Sequence, residues 1–266
     1  MSNLAEEKRD SLGMFRLPSV SDLAGAKYVI DFVAGGSLTL QLGETEGTFR
    51  GEGLPCSDAS GALDVVKIRD QTYLIDIDIE QPARDALTVV LSKDTGWALA
   101  VHQRRVPPVH LWERGPDCQM TFKVGSIRGM EQKGEAPGLT KDLMGAREFL
   151  MMGPENVYEH IYISHEYMVV NHVHTNLARG KAEVQPTTYY KLSDELYVLG
   201  VCEMDNATGL VQVVDYANMR MTGKAHHAVD RWKSVSRGLG GQIIAINGKL
   251  SYPNGLEPTG FIPDPD

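Results

Sequence analysis

Apolar and polar positions alternate along much of the chain. In residues 73–79, tyrosine or isoleucine occupies every second position, with leucine or aspartate between them. This two-residue period predicts a β-strand with one buried face. Similar short segments recur, separated by Gly, Asp and Asn, with almost no helical pattern between them. We therefore predict an all-β protein of antiparallel strands, in which closure into barrels removes the exposed strand edges.

An internal repeat divides the chain into two halves. Residues 67–75 (KIRDQTYLI) recur without a gap as residues 191–199 (KLSDELYVL). Upstream, we align residues 48–51 with 177–180, and residues 28–32 with 158–162. The repeat predicts two barrels of similar design, or one larger barrel built from both halves.

The segments outside the repeat set the expected boundaries. Residues 139–152 carry the one helical pattern, in which Thr140 would be the cap and Leu143, Ala146, Phe149 and Leu150 would share a face. The tail is rich in Pro, Gly and Asp, and has too little apolar surface to fold alone. We expect an N-terminal extension (1–20), a first barrel (21–126), a linker with a helix (127–157), a second barrel (158–252) and a C-terminal tail (253–266).

The two halves differ at the positions predicted to face the barrel interiors. The inward set of the first half is apolar: Tyr28, Ile30, Phe32, Leu38, Leu40, Leu42, Tyr73, Ile75, Ile77 and Ile79. The matching set of the second half is aromatic and polar: Tyr158, His160, Tyr162, Tyr167, Val169, Asn171, Tyr197, Leu199, Val201 and Glu203. Burying such polar groups without partners costs on the order of 1–3 kcal/mol each, so they imply a ligand, water or a closed polar network. We predict that the second barrel contains the functional site.

Glu203 is the main candidate for acid–base chemistry. It stands where the first half has Ile79, and an inward carboxylate at that place should have a raised pKa because of desolvation. The alternative is a strand-end glutamate that reaches solvent. Arg179 could pair with Glu203 or bind a substrate carboxylate, although Arg50 at the same place in the first half favours a structural role.

A histidine between two tyrosines is the second candidate group. His160 shares a strand face with Tyr158 and Tyr162, an arrangement suited to moving a proton and orienting a ligand. We therefore assign catalysis to Glu203, His160, Tyr162 and Arg179, and substrate binding to Tyr158, Tyr167, Asn171 and Tyr197.

Two other clusters are given structural interpretations. His172 and His174 have a metal-ligand spacing, but the strand alternation predicts that they point outward, so we predict no metal and no cofactor. Asp76, Asp78 and Glu80 alternate with isoleucines, which predicts a solvated outer face.

Composition narrows the classes of partner. A net charge of −9 disfavours nucleic acid and anionic membranes, both of which require a basic surface. Residues 1–10 are polar, and the three cysteines have no paired spacing, so we expect a cytoplasmic protein. The expected partner is a small molecule, and the sequence leaves open whether the chain forms a homodimer.

Four segments of the second half resemble the molybdenum-cofactor-biosynthesis protein F (MoaF) family: residues 158–162, 178–180, 191–197 and 218–224. That resemblance implies two related calycin-like (lipocalin-like) domains. The spacing of Tyr197 and Glu203, followed by residues 208–209 and 220–223, makes the second half more distantly similar to phenolic acid decarboxylases. By position, that similarity would make Glu203 the catalytic glutamate, Arg179 the strand arginine, and Tyr162 with His160 the tyrosine pair.

These observations lead to one preferred function and two alternatives. The preferred hypothesis is a cofactor-independent lyase or isomerase that transfers protons on a small conjugated phenolic or carboxylated molecule. The first alternative is a non-catalytic carrier or sensor of lipocalin type. The second is a partner subunit whose barrels only form an interface.

Overall fold

The computed structural model describes residues 11–82, 84–106, 117–175, 180–204, 207–230 and 233–247. These ranges contain β-strands and one short 3₁₀ helix, Ser11–Gly13, and no α-helix. No helix within them is long and apolar enough to cross a bilayer.

The first half forms a closed antiparallel barrel, in which each strand pairs with the next and the last pairs with the first. Its strands are β1 (Lys27–Phe32), β2 (Ser37–Leu42), β3 (Glu46–Gly51), β4 (Asp58–Arg69), β5 (Thr72–Ile79), β6 (Asp85–Ser92), β7 (Trp97–Arg105) and β8 (Cys118–Ile127). All ten residues predicted to face inward belong to its apolar core, Tyr28 being the only partly buried one.

The second half repeats this topology. A second barrel is formed by β10 (Arg147–Gly153), β11 (Asn156–Tyr162), β12 (Tyr167–Thr175), β13 (Ala182–Ser193), β14 (Leu196–Cys202), β15 (Thr208–Asp215), β16 (Arg220–Ala228) and β17 (Ser234–Asn247). The short strand β9 (Gly138–Leu139) precedes it and pairs with the later part of β13. β10 pairs with β17 and β12 with β13, which closes the sheet. The prediction of two antiparallel barrels is confirmed, and the larger single barrel is excluded.

The predicted linker helix is wrong. Residues 139–152 contain the end of β9, a turn at 142–145 and most of β10. Thr140 does act as a cap, but for the turn, because its Oγ1 accepts a hydrogen bond from the Asp142 amide at 3.0 Å. In β10 the inward residues are Glu148, Leu150 and Met152, which show the two-residue period of a strand.

The turn before β10 belongs to a repeat that the sequence alignment missed. Residues 142–147 (DLMGAR) match residues 22–27 (DLAGAK), which precede β1. The match extends to contacts: the Tyr73 hydroxyl donates to Asp22 and the Tyr197 hydroxyl to Asp142, each at 3.3 Å. β10 is therefore the counterpart of β1. The predicted alignment of residues 28–32 with 158–162 is wrong by one strand.

The two barrels pack against each other through an apolar cluster of both halves, whose fully buried members include Val66, Leu99, Val198 and Val211. Ion pairs border this cluster. Arg69 contacts Asp215 at 2.6 Å, and the Lys224 ammonium lies 3.4 Å from Asp76. The predicted solvated face is therefore wrong for Asp76, which is 1% exposed at the interface.

The N-terminal segment crosses both barrels. Ser19 forms a β-bridge with Val66, and Arg16 pairs with Asp64 of the first barrel. On the second barrel, a Cβ at Gly240 would lie 2.3 Å from the Arg16 Cα, so this glycine permits the close approach. The segment thus lies along β17, and Leu12 reaches the second interior.

Candidate functional site

Strand register aligns the two interiors position by position. Tyr28 and Glu148 are equivalent positions, because each directly follows the repeated turn. Tyr28 pairs with Leu40 in the first barrel, and Glu148 pairs with His160 in the second. Extending this register places polar groups of the second barrel at apolar positions of the first. Tyr158, His160 and Tyr162 replace Leu38, Leu40 and Leu42, while Glu203 replaces Ile79 and Gln212 replaces Val89.

The second barrel contains a cavity of about 560 Å³. This volume is within the range of known small-molecule sites, roughly 300–1,000 Å³. Its wall is mixed. The apolar part includes Leu12, Met152, Met168, Val170, Val201, Leu210, Ala225 and Leu239, and the polar part includes Asn156, Tyr158, His160, His172, Thr175, Lys181, Glu183, Gln185, Glu203, Thr208, Gln212, His227 and Arg237.

Glu203 lies at one end of this cavity. It follows the last residue of β14, and its amide donates to the Thr208 carbonyl at 3.0 Å, while Thr208 is paired with His227. Going inward, the next level of the wall holds Leu210, and the level below it holds Gln212. The residue predicted as the acid–base group is therefore a cavity residue at the end of the strands.

Tyr158 and His172 form an aromatic wall near Glu203. Their rings meet edge to face, with centroids 5.2 Å apart. Burial, together with the charges of Glu203 and Glu183, raises the pKa of Tyr158 to about 12. The phenol therefore stays protonated at neutral pH and can donate a hydrogen bond to a ligand.

A charged group borders His172. Lys181 forms an ion pair with Glu183, whose other oxygen accepts from the Gln185 amide at 2.7 Å. Burial lowers the pKa of His172, and the charge of Lys181 adds to this effect, while Glu183 opposes it. His172 is therefore neutral at pH 7 and presents one donor and one acceptor nitrogen.

A second carboxylate, Glu148, lies deeper in the barrel and is 1% exposed. Its Oε1 accepts from the Tyr162 hydroxyl at 2.8 Å and lies 3.1 Å from Nδ1 of His160, while its Oε2 accepts from the Tyr216 hydroxyl at 2.7 Å. Burial and the negative charge of Glu148 raise the pKa of both tyrosines. Both phenols are thus donors at every physiological pH.

His160 connects this buried group to the cavity. Its Nδ1 faces Glu148, and the residue also lines the cavity wall. A carboxylate at Nδ1 favours the tautomer with a proton there, which leaves Nε2 as the basic nitrogen. The arrangement of carboxylate, imidazole and cavity is one that general-base catalysis uses.

The structure brings three of the eight predicted site residues to the cavity: Glu203, His160 and Tyr158. Tyr162 contacts Glu148 instead, and Tyr197 hydrogen-bonds Asp142 and packs edge to face on Tyr216. Arg179 lies outside the described residues.

The inward orientation predicted for Tyr167 and Asn171 is wrong. Tyr167 is 43% exposed, and the Asn171 amide donates to Glu159, which also pairs with Arg147 outside the cavity. The inward residues of β12 are Met168, Val170 and His172. The error follows from the misaligned strand, because a shift of one residue moves every side chain to the other face.

Three cavity or cluster residues were missed by sequence reasoning. Glu148 lay in the segment read as helical, while Gln212 and Arg237 were not considered. The repeated DLxGA turn could have revealed Glu148, since it gives that residue the position that Tyr28 has in the first barrel.

The described residues contain no group of three or more His, Cys, Asp or Glu side chains that could hold a metal ion. His172 and His174 do not line the same site. His172 lines the cavity, against the prediction, whereas His174 is half-exposed and lies 3.2 Å from Glu155. The bulge between Val157 and Tyr158 in the pairing of β11 with β12 separates them.

Comparison with protein families supports the resemblance found in the sequence. Residues 137–247 match the model of the MoaF C-terminal domain. The resemblance to the MoaF family is confirmed. The match runs from just before β9 to the end of β17, so it covers the whole MoaF-like barrel, including the cavity and Glu148. Comparison with curated proteins gives no match.

Proposed function

We propose that the MoaF-like barrel is the site of a cofactor-independent lyase or isomerase, which transfers protons on a small conjugated molecule carrying a phenol or carboxylate. One observation supports this most strongly. Glu203 and His160 line the same cavity, and the buried carboxylate of Glu148 holds the Nδ1 side of that imidazole.

The proposed roles follow from position. His160, oriented by Glu148, takes a proton from the substrate at Nε2, and Glu203, which enters the cycle protonated, gives a proton to another atom of the substrate. Water then carries the proton from His160 to the Glu203 carboxylate, which restores both groups. Tyr158 donates a hydrogen bond to the developing negative charge. General acid–base groups of this kind contribute about 10²–10⁴-fold each to a rate. We propose the cytoplasm as the compartment, because the three cysteines are all free.

Proton exchange provides the test. Small conjugated phenols and carboxylic acids would be incubated with the full-length protein in D₂O, and loss of C–H signals or release of product would be followed by ¹H NMR. We expect Glu203→Gln and His160→Gln each to lower the rate about 100-fold or more. His174→Gln is the matched control, since His174 lies outside the cavity wall. Unchanged turnover in Glu203→Gln would contradict the assignment.

A carrier or sensor is the second candidate. The polar groups around Glu148 satisfy one another, and much of the cavity wall is apolar, as binding alone would require. Ligand binding that survives Glu203→Gln, with no exchange or product for any bound compound, would favour this function. The cavity counts against the third candidate, a barrel that only forms an interface.

A further inference from the structure

Arg237 is a cation of the cavity that no carboxylate neutralises in the described part of the chain. It lies on β17, in the position corresponding to Thr121 of the first barrel, and is paired with Ala225. The other cavity cation, Lys181, already forms an ion pair with Glu183. Arg237 can therefore bind an anionic group of a ligand through its guanidinium fork.

Gln212 is a second unused group. Its side chain is 4% exposed and lines the cavity, yet its Oε1 has no hydrogen-bond partner within the described ranges. The first barrel has Val89 here, so the fold does not require an amide at this position. A buried acceptor without a donor is costly, and a ligand N–H or O–H would remove that cost.

The register gives the separation of these two groups. Gln212 is paired with Gly223, which is paired with Leu239, two residues along β17 from Arg237. Two strand spacings of about 4.8 Å and two residues of about 3.3 Å rise put the two Cα atoms roughly 12 Å apart. A molecule of one or two fused rings can span the space between their side chains.

We propose that the cavity recognises an elongated organic oxyanion, whose anionic end binds Arg237 and whose opposite end donates a hydrogen bond to Gln212. The inference rests on the proposed function only in taking the cavity as a ligand site, and it does not depend on catalysis. Neither Arg237 nor Gln212 is among the site residues that the two family resemblances imply.

Three small molecules distinguish the contact with Arg237 from the contact with Gln212, because they differ in charge and in hydrogen-bond donor. Indole-3-acetate carries both a carboxylate and an N–H donor, indole-3-acetamide lacks the charge, and 1-naphthylacetate lacks the donor. Dissociation constants would be measured for the full-length protein by ¹H–¹⁵N NMR titration. We expect indole-3-acetate to bind at least fivefold more tightly than either analogue.

Two variants test the assignment of each contact. Arg237→Gln should weaken indole-3-acetate about tenfold and leave indole-3-acetamide within about twofold, and Arg237→Lys should restore part of the affinity. Gln212→Leu should weaken indole-3-acetate about fivefold and leave 1-naphthylacetate unchanged. Thermal unfolding of each variant would establish that the barrel is folded.

The outcomes are distinct from those of the catalytic test. Equal affinity for the acid and its amide, insensitivity of acid binding to Arg237→Gln, or no binding of any probe would overturn the proposal. Arg237-dependent binding without proton exchange would support this inference and contradict the enzymatic function alone.

Discussion

The Nδ1 nitrogen of His160 lies 3.1 Å from Oε1 of Glu148, and both side chains are almost completely buried. The hydroxyls of Tyr162 and Tyr216 donate to the same carboxylate. An ionised carboxylate only accepts hydrogen bonds, so the His160 proton belongs on Nδ1. Nε2 is then the nitrogen that can accept a proton from a ligand.

Glu148→Gln should change the tautomer of His160. The amide can place an N–H where the carboxylate oxygen was, which removes the preference for a proton on Nδ1. We expect the fraction of the Nδ1–H tautomer, measured by ¹⁵N NMR of the imidazole, to fall, and any exchange rate to drop about 100-fold. Glu159→Gln is the matched control, because Glu159 is also buried but contacts Arg147 and Asn171. An unaltered His160 spectrum in Glu148→Gln would contradict the positioning role.

The two barrels should respond differently to the same enlargement. Ala100 belongs to the filled core of the first barrel, whereas Ala225 lines the cavity of the second. Ala100→Phe should lower the free energy of unfolding by about 3 kcal/mol or more because of overpacking, and Ala225→Phe by less than about 1 kcal/mol. Urea unfolding would measure both, and equal destabilisation would argue that the second interior is also filled.

Asp215 should make the barrel interface sensitive to acid. Burial alone would raise the pKa of Asp215, but hydrogen bonds from Arg69 and Asn218 outweigh it and hold the pKa below its ordinary value. A lowered carboxylate pKa stabilises the fold above about pH 4, and the stabilisation is lost as pH falls through the folded-state pKa.

The matching variant is Asp215→Asn. We expect it to lower the free energy of unfolding by about 3 kcal/mol at pH 7, since Arg69 loses its partner. The difference from the unmodified protein should shrink as the pH is lowered below 4 in the same urea experiment. A difference independent of pH would show that Asp215 acts through packing and not through its charge.

Much of the architecture was predictable from the sequence. The alternation in residues 73–79 and the gapless repeat of residues 67–75 identify strands that are true counterparts in the two barrels. Those strands are almost completely buried, so their hydrophobic period reports directly on the core.

The errors arose where local pattern and tertiary context disagree. Residues 139–152 read as a helix, but a turn at 142–145 divides them, and β10 supplies Glu148 to the interior. The misaligned strand then exchanged the inward and outward faces of β12, which hid His172. The contacts between polar groups across a barrel depend on the pairing of strands that are far apart in the sequence. A single sequence does not specify that pairing.

The central claim is that the cavity of the MoaF-like barrel binds small molecules. The most direct test is a ¹H–¹⁵N NMR screen of small aromatic acids against the unmodified protein and the Ala225→Phe variant. We expect shifts at Val201, Leu210 and Ala225 in the unmodified protein, and at least a tenfold loss of affinity in the variant. Shifts confined to other parts of the protein, or binding unaffected by Ala225→Phe, would contradict the claim.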